Sequence, residues 1–264
     1  MFRALSIRDF RLIATGQLLS GIGDWLLLMA APYFVLRLTG STLATGLSLA
    51  AGTVPALLIG PIAGALADRW DRRRTMIATD LARMAAVSVM LLVHHPGQVG
   101  LIYIALVVES CFSQLFGPAA GALIPAVVGR GPQLAAANSL GALVTGLVRL
   151  VGGPLGGALY ALFGFATVVC LDAVSYAASA VLVTLLRYRP DPIGEAASAS
   201  SRRPVHRLLG EIRAGLGHVR HSPGLRALFG AAALFGFGNA ILTALVVTLR
   251  GRGPARSSAD PGPA

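Results

Sequence analysis

Charged residues are scarce in this sequence, and lysine is missing from it altogether. Only 12% of the 264 residues are charged and 55% are hydrophobic, whereas about a quarter of a typical soluble domain is charged. This balance excludes an ordinary soluble globular domain and indicates a membrane protein. The only two cysteines, Cys111 and Cys170, both fall inside apolar segments. We therefore expect small buried thiols, and neither a disulfide, a metal site nor a cofactor.

Apolar residues are collected in seven segments that are long enough to cross a bilayer, which takes about 20 helical residues. They predict an all-α fold, a polytopic membrane helix bundle. Six of the segments form a unit at residues 1–186, and a seventh helix follows at residues 225–249. The approximate bounds are Leu12–Leu36, Leu43–Ala67, Thr75–Val93, Gln98–Val128, Leu134–Leu162, Phe165–Leu186 and Leu225–Leu249.

The arginines between the segments predict the orientation of the bundle. If the amino terminus lies in the cytoplasm, 16 arginines lie on the inner side of the lipid bilayer and Arg37 alone on the outer side, as the positive-inside rule requires. We therefore expect a multi-pass protein of the bacterial cytoplasmic (inner) membrane. The inner connections also account for most of the net charge of +11, so we expect no nucleic-acid partner.

Residues 187–224 differ in composition from the segments around them. Their first part, through Arg203, is rich in proline, serine and alanine, which is typical of a flexible linker. Their second part places apolar residues at helical spacing with arginines between them. This pattern predicts either a basic amphipathic helix on the inner leaflet or a plain solvated linker. The apolar positions are Val205, Leu208, Ile212, Leu216 and Val219.

Residues 250–264 form a polar tail of low complexity. The predicted seventh helix ends on the outer side, so Arg250, Arg252 and Arg256 break the charge rule that the rest of the sequence obeys. A frameshift or premature stop near residue 248 would explain both this violation and the lack of further apolar segments. The expected partner is then a missing carboxyl-terminal half or a second copy of the chain.

Two of the segments share a short sequence that suggests an internal repeat. Gly60-Pro-Ile-Ala-Gly-Ala-Leu66 in the second helix is similar to Gly153-Pro-Leu-Gly-Gly-Ala-Leu159 in the fifth. Because these helices run in opposite directions, two three-helix units would be inverted relative to each other, a known transporter architecture. Convergence is the alternative, since both segments need small residues for close packing. The expected packing residues are Gly60, Pro61, Gly153, Pro154 and Gly157, with Gly-x-x-x-Gly pairs at Gly60/Gly64, Gly117/Gly121 and Gly153/Gly157.

The connection between the second and third helices carries the most specific motif, Gly60-Pro-Ile-Ala-Gly-Ala-Leu-Ala-Asp-Arg-Trp-Asp-Arg-Arg-Arg74. It resembles the signature loop of the major facilitator superfamily. Asp71 stands where that loop usually has glycine, a variation seen in the macrolide-efflux and drug-antiporter branch. In the family the loop locks the two halves together in the outward-facing state. The arginines after Asp71 would also satisfy the positive-inside rule without any such role. The matching positions are Gly64, Asp68, Arg69, Arg72 and Arg73.

Other segments resemble the same branch, so that the resemblance covers about residues 1–248. It implies the amino-terminal half of a transporter that exports a hydrophobic small molecule or drug by proton antiport. Gly153-Pro154 also fits the antiporter motif of the fifth helix, although the following glycine pair comes one residue early. The further segments are Ser20-Gly-Ile-Gly-Asp-Trp25, Phe116-Gly-Pro-Ala-Ala-Gly-Ala-Leu-Ile-Pro125, Ala137-Asn-Ser-Leu140 and Leu171-Asp-Ala-Val-Ser175.

Two other functions have to be weighed. A truncated membrane protein that does not transport, and is inert or acts by associating with another chain, remains an alternative. A membrane CDP-alcohol phosphotransferase is not expected. Asp68 and Asp71 have the spacing of its first aspartate pair, but Arg72 follows in place of glycine and the second pair is missing. We therefore expect no enzyme.

Ionisable residues inside the apolar segments are candidates for function, because each costs roughly 2.5–3.5 kcal/mol at mid-bilayer. Asp24 lies ~18 Å from the inner end of its helix and Glu109 ~16 Å from the outer end, at 1.5 Å per residue. Arg149 reaches a similar depth on the fifth helix. By resemblance, the first and fourth helices line the central cavity, so Asp24 and then Glu109 are expected to carry the proton. Arg149 would be the counter-charge and Gln17 would line the inner vestibule; a static Glu109–Arg149 pair is the structural alternative.

Three more charged residues lie in the apolar segments. Asp80 and Arg83 are three residues apart on the third helix, which predicts a local ion pair that supports the signature loop near the inner surface. Asp172 on the sixth helix is expected to be structural or an interfacial cap.

Overall fold

The computed structural model describes residues 5–67, 70–129 and 131–187, with the backbone alone at 61, 62 and 65–67, together with scattered positions between 222 and 238. The predicted linker at 187–224, seventh helix at 225–249 and tail at 250–264 therefore lie almost wholly outside the described residues.

Five α-helices make up the described chain, and it contains no strand. Each has a stretch long and apolar enough to span a membrane. The all-α membrane helix bundle predicted from the sequence is confirmed. The helices are α1 (Arg8–Thr39), α2 (Thr42–Ala67), α3 (Arg72–Val89), α4 (Val99–Val128) and α5 (Pro132–Thr184), with short 3-10 turns at Met90–Leu92 and Pro96–Gln98 between α3 and α4.

Helix α5 is two membrane spans joined by a turn. Its 53 residues would extend for about 80 Å if straight, more than twice the thickness of a bilayer core. Gly164 interrupts it with φ 83° and ψ 175°, a conformation that side-chain-bearing residues rarely adopt. The two parts, here named the first arm (residues 132–163) and the second arm (residues 165–184), coincide with the fifth and sixth apolar segments.

Prolines lie inside the helices without ending them. Pro118 and Pro125 lie inside α4 and Pro154 lies inside the first arm of α5. Polar residues and glycines mark the ends instead. The Asp71 carboxylate accepts a hydrogen bond from the Arg74 N–H at 2.6 Å and caps the start of α3. Gly40, with φ 65°, ends α1.

Helix α1 lies at the centre of the packing, against both arms of α5, while α2 packs on α4 and α3 packs on α4 and α5. The main apolar core joins Leu26, Leu27, Ala30, Ala31 and Val35 of α1 to buried residues of the other helices. These pairings match the inverted repeat, which makes α1 equivalent to α4 and α2 to the first arm. The repeat stays a prediction that the packing supports.

Hydrogen bonds add to this packing between α2 and α4. The Tyr103 hydroxyl donates to the Ala44 carbonyl at 3.0 Å, and the Ser110 hydroxyl donates to the Gly52 carbonyl at 2.7 Å. Cys111 is partly buried and Cys170 is exposed, and both are free thiols. The expectation of a buried thiol is therefore wrong for Cys170.

The glycines that allow close helix contact are not the ones expected from the motif spacing. A Cβ atom on Gly156 would lie 2.8 Å from the Leu26 carbonyl oxygen, and one on Gly152 would lie 2.5 Å from the Trp25 Cβ. Gly153 meets only the Met29 side chain at 4.0 Å. The close-packing pair is thus Gly152/Gly156, one residue before the expected Gly153/Gly157, because that is the face of the first arm turned to α1.

The other expected packing positions are open within the described chain. A Cβ atom at Gly60 would make an ordinary contact of 3.7 Å with Gln114 Oε1. At Gly64, Gly117, Gly121 and Gly157 it would meet no described atom within 4 Å. No close helix contact occurs at these positions among the described residues, and the packing role expected of them stays a prediction. Of Pro61, the structure describes only that its backbone is helical, and the Pro154 side chain is exposed.

The two neighbouring glycines of the first arm provide a matched test of this packing. We expect Gly156→Ala to lower the free energy of unfolding by about 1–3 kcal/mol, because its methyl group would overlap the backbone of Leu26, which cannot rotate away. Gly157→Ala should be neutral or slightly stabilising, since alanine is the better helix former. Thermal unfolding of the purified chain in detergent measures both. Equal effects of the two substitutions would contradict the assigned packing face.

Candidate functional site

A group of polar side chains occupies the middle of the bundle, where α1, α3, α4 and the second arm meet. Asp80 and Arg83 of α3 and Asp172 of the second arm are fully buried. Asp24 of α1 and Glu109 of α4 are partly buried. Ionisable groups at this depth are costly and usually serve a function.

The Tyr176 hydroxyl joins the two carboxyl groups that the sequence singled out. It lies 2.5 Å from Asp24 Oδ1 and 3.2 Å from Glu109 Oε1, and its ring is completely buried. Asp24 and Glu109, which the sequence placed at a similar depth, are thereby joined through a tyrosine that the sequence analysis missed. Tyr176 gave no signal of its own, because a tyrosine in an apolar segment is usually part of the core.

The bridge limits how the two carboxyl groups are protonated. A phenolic hydroxyl has a single proton to donate, and its oxygen accepts up to two hydrogen bonds. Two ionised carboxylates would have to compete for that one proton. If one carboxyl carries a proton, it can donate to the phenolic oxygen while the phenolic proton goes to the other carboxylate. Both bonds are satisfied when Asp24 and Glu109 share one added proton.

Arg83 is the cation of this site. It forms an ion pair with Asp80 and donates to the Ser113 hydroxyl at 3.3 Å, and Ser113 in turn donates to Glu109 Oε1 at 2.7 Å. Its guanidinium carbon also lies 4.4 Å from the centre of the Tyr176 ring and 4.6 Å from that of Phe116. Cation–π contacts of this kind stabilise a desolvated arginine.

The predicted Asp80–Arg83 ion pair is confirmed, but its expected role in the signature loop is not supported. Its arginine reaches towards α4 and the second arm, into the group of carboxyls. The i,i+3 spacing predicted the ion pair. It could not show that the pair is buried, because that depends on which face of α3 points inward. Asp172, expected to be structural or a cap, is fully buried beside α1, and no described group bonds its Oδ2 atom.

Arg149 does not take the place that was expected of it. Its side chain is exposed, and its guanidinium carbon lies 5.7 Å from the centre of the Trp25 ring. The arginine that contacts the carboxyl network is Arg83 instead. The physical reason is helix rotation. The side chain of Val148, the residue before Arg149, is buried in the bundle, so the side chain of Arg149 points out of the bundle.

A cavity of about 440 Å³ opens beside the carboxyl groups. It lies between the amino-terminal half of α1, the carboxyl-terminal half of α4 and the start of the first arm. Asp24 and Gln17 are both on its wall, as expected, whereas Glu109 lies behind Ser113. Its other walls combine the charged Arg83 with aromatic and neutral polar side chains, among them Phe10, Ser20, Trp25, Phe116, Asn138 and Thr145.

The described part of the signature loop ties three helices together. Arg72 Nη1 donates to the Ala122 carbonyl of α4 at 3.1 Å. Arg73 donates to the carbonyls of Val183 and Thr184, which lie at the carboxyl end of α5, where the helix dipole favours a positive charge. Gly64 lies in α2, and Asp68 and Arg69 lie outside the described residues. No cluster of three or more potential metal ligands occurs in the described chain.

The two arginines of the site can be compared by substitution. We expect Arg83→Gln to lower the free energy of unfolding by about 3–5 kcal/mol, because it leaves the buried Asp80 carboxylate without its partner. The double variant Asp80→Asn/Arg83→Gln should recover much of this loss. Arg149→Gln, which changes an exposed side chain, is the control and should have little effect. Thermal unfolding in detergent gives the three values, and a double variant no more stable than Arg83→Gln would contradict the pairing.

Comparison with known proteins places the chain in a family. It matches the family described as transmembrane secretion effector over residues 1–257. It is 31% identical over 226 residues to the multidrug efflux pump Tap of Mycolicibacterium fortuitum, covering 82% of this chain and 53% of that protein. It is 25% identical over 230 residues to macrolide efflux protein A of Streptococcus pyogenes, covering 86% and 55%. With the MFS-type transporter YfiS of Bacillus subtilis it shares 30% identity over 175 residues, or 66% and 41%.

The chain spans about half the length of the curated relatives it matches. The family match, however, covers nearly all of this chain. The signature loop, the helix bundle and this match agree, and the chain belongs to the major facilitator superfamily of membrane transporters, in its transmembrane secretion effector family.

Proposed function

We propose that this bundle is one half of a proton-driven exporter of hydrophobic small molecules. The observation that carries the proposal is the hydroxyl bridge from Tyr176 to Asp24 and Glu109 at the wall of the cavity. Antiport needs a group that holds a proton in one state and releases it in another. A pair of carboxyl groups that is best satisfied with one added proton meets that need.

Asp24 is the member of the pair that a substrate would meet. Its carboxyl group lies on the cavity wall, so a bound substrate would compete with a proton for that group. Glu109 is reached only through Tyr176 and Ser113 and would hold the proton when Asp24 gives it up. Arg83 keeps a positive charge one hydroxyl away from Glu109, which favours return of the ionised state.

The cavity supports a hydrophobic substrate that carries some polar groups. A volume of about 440 Å³ lies within the range of about 300–1,000 Å³ that is usual for small-molecule sites. Phe10, Trp25 and Phe116 provide aromatic surface, while Gln17 and Asn138 provide amide donors and acceptors. The names of two relatives, a multidrug efflux pump and a macrolide efflux protein, agree with this class of substrate.

The position of the cavity supports export. It occupies the half of the bundle at which α1 begins, from Phe10 to Trp25. We propose that this end faces the cytoplasm of a bacterial inner membrane, since 16 arginines would then lie on the cytoplasmic side. A molecule would enter the site from the cytoplasm and leave on the other side.

Alternating access requires a second bundle for this one to move against. Because the relatives are about twice as long as the matched region, we propose that the partner is the remaining half of a longer protein or a second copy of this chain. The signature loop, with Gly64, Asp68, Arg69, Arg72 and Arg73, would hold the two bundles together in one state. The contacts of Arg72 and Arg73 with α4 and α5 support this by fixing the start of α3 to those helices.

Substitution of Asp24 tests the coupling. In inside-out membrane vesicles with an imposed proton gradient, we expect the full chain to accumulate a macrolide or a lipophilic dye. Asp24→Asn should reduce the uptake at least tenfold, because an amide cannot carry the proton. Tyr176→Phe should reduce it less, since both carboxyls remain but lose their shared hydroxyl. Initial uptake rates measure the three.

The matched control is Asp9→Asn, which removes a carboxylate that lies outside the cavity lining and accepts one long hydrogen bond of 3.3 Å from the Arg187 N–H. It should transport as the unsubstituted chain does. Uptake that persists in Asp24→Asn, or that an uncoupler does not abolish, would count against proton coupling. No uptake by the unsubstituted chain in these vesicles would count against export by a pair of copies of this chain.

A further inference from the structure

Asp172 is a buried carboxyl group that the coupling described above does not use. Its side chain is fully buried on the face of the second arm that is turned to α1. Tyr176 and Ser179 lie four and seven residues further along the same face and are also fully buried. Asp172 therefore lies one helical turn from Tyr176, whose hydroxyl bridges Asp24 and Glu109.

The surroundings of Asp172 do not suit an ionised carboxylate. Its Oδ2 atom has no hydrogen-bond partner among the described residues. Its Oδ1 atom lies 3.5 Å from the Ser175 hydroxyl, whose single proton goes to the Asp172 carbonyl at 2.7 Å. An ionised carboxylate buried without donors is far more costly than a neutral carboxylic acid in the same place.

Helix α1 closes over this carboxyl at a glycine. A Cβ atom on Gly23 would lie 3.1 Å from the Asp172 Cα and would overlap both the Asp172 carboxyl and the Ser175 hydroxyl. The absence of a side chain at Gly23 thus lets the backbone of α1 cover Asp172. Gly23 directly precedes Asp24, so any change at Asp172 that moves α1 also moves the carboxyl on the cavity wall.

The charges around Asp172 add to this argument. Asp24 of α1, Glu109 of α4, Arg83 of α3 and Tyr176 on its own helix interact electrostatically with it. Arg83 is the only positive charge among these described groups, and it is paired with Asp80. The Asp24–Glu109 pair with one added proton already leaves one negative charge. An ionised Asp172 would place a second uncompensated negative charge in the same buried region.

We propose that Asp172 is a second proton-binding site, separate from the proton that Asp24 and Glu109 share through Tyr176. The proton sits on the Asp172 carboxyl while α1 is closed over it. Its release leaves a carboxylate that needs water or a donor, and this requires α1 to move away at Gly23. The part of Asp172 in transport rests on the proposed function, whereas the binding of the proton is a property of the folded bundle.

Infrared spectroscopy of the purified full chain in detergent tests this directly. Aspartate carrying ¹³C in its side-chain carboxyl separates the carbonyl bands of protonated aspartates from those of glutamates such as Glu109. We expect a protonated-aspartate band at neutral pH that is kept in Asp24→Asn, which removes the aspartate of the shared pair, and lost in Asp24→Asn/Asp172→Asn. Ser179→Ala, on the same buried face but without an ionisable group, is the matched control and should keep the band.

The binding must also be reversible. We expect the band to weaken as the pH is raised and to return when the pH is lowered, with the chain still folded by circular dichroism. A band that survives in Asp24→Asn/Asp172→Asn, or no such band in labelled Asp24→Asn, would overturn the proposal. So would a band that no pH changes before the chain unfolds, because Asp172 would then be a permanent structural acid.

A second variant covers the case in which Asp172→Asn does not fold. In Asp24→Asn/Asp172→Glu the carboxyl at position 172 is no longer labelled, so the ¹³C shift of the band should disappear; a shift that remains overturns the assignment. If neither variant folds, the labelled Asp24→Asn chain decides by whether it keeps a pH-sensitive aspartate band. None of these spectra depends on transport, so failure of the exporter proposal and failure of this one are distinguishable.

Discussion

The close contact of α1 with both arms of α5 is the constraint on which the rest of the structure depends. On one side Gly156 lies against the backbone of α1 at Leu26. On another, Gly23 lies against Asp172 of the second arm. Backbone atoms meet at these points, so α1 has little freedom to rotate or slide. Its position in turn holds Asp24 at the Tyr176 hydroxyl.

Because this packing buries the polar groups, they have to find their hydrogen-bond partners among one another. Each hydroxyl in the network has one proton and serves more than one neighbour, so the protonation of one carboxyl changes what the next can accept. Arg83 takes part through Asp80, Ser113 and two aromatic rings. Protonation and helix contact are thereby linked, which is the property that a proton-driven conformational change requires.

The fold was largely predictable, and the site was predictable in part. The apolar segments predicted the positions of the helices. The break between the fifth and sixth segments falls at Gly164, because the turn between these two spans needs a residue with a positive φ. Charge within an apolar segment identified Asp24 and Glu109, since that signal is local. Tyr176 was missed because its hydroxyl is hidden in an apolar composition. The packing glycines were placed one residue too late, because Gly152, Gly153, Gly156 and Gly157 offer two registers with the same spacing.

Three properties could be recognised from the amino-acid sequence: the segments that are apolar enough to span a membrane, the superfamily that the signature loop indicates, and the carboxyl groups that lie deep in the helices. These properties depend on composition and short motifs, which can be read along the chain. The folded structure was needed to show that Arg83 rather than Arg149 contacts the carboxyl groups, and that a tyrosine joins Asp24 to Glu109. Those pairings depend on the rotation of each helix about its own axis, which packing between distant segments sets.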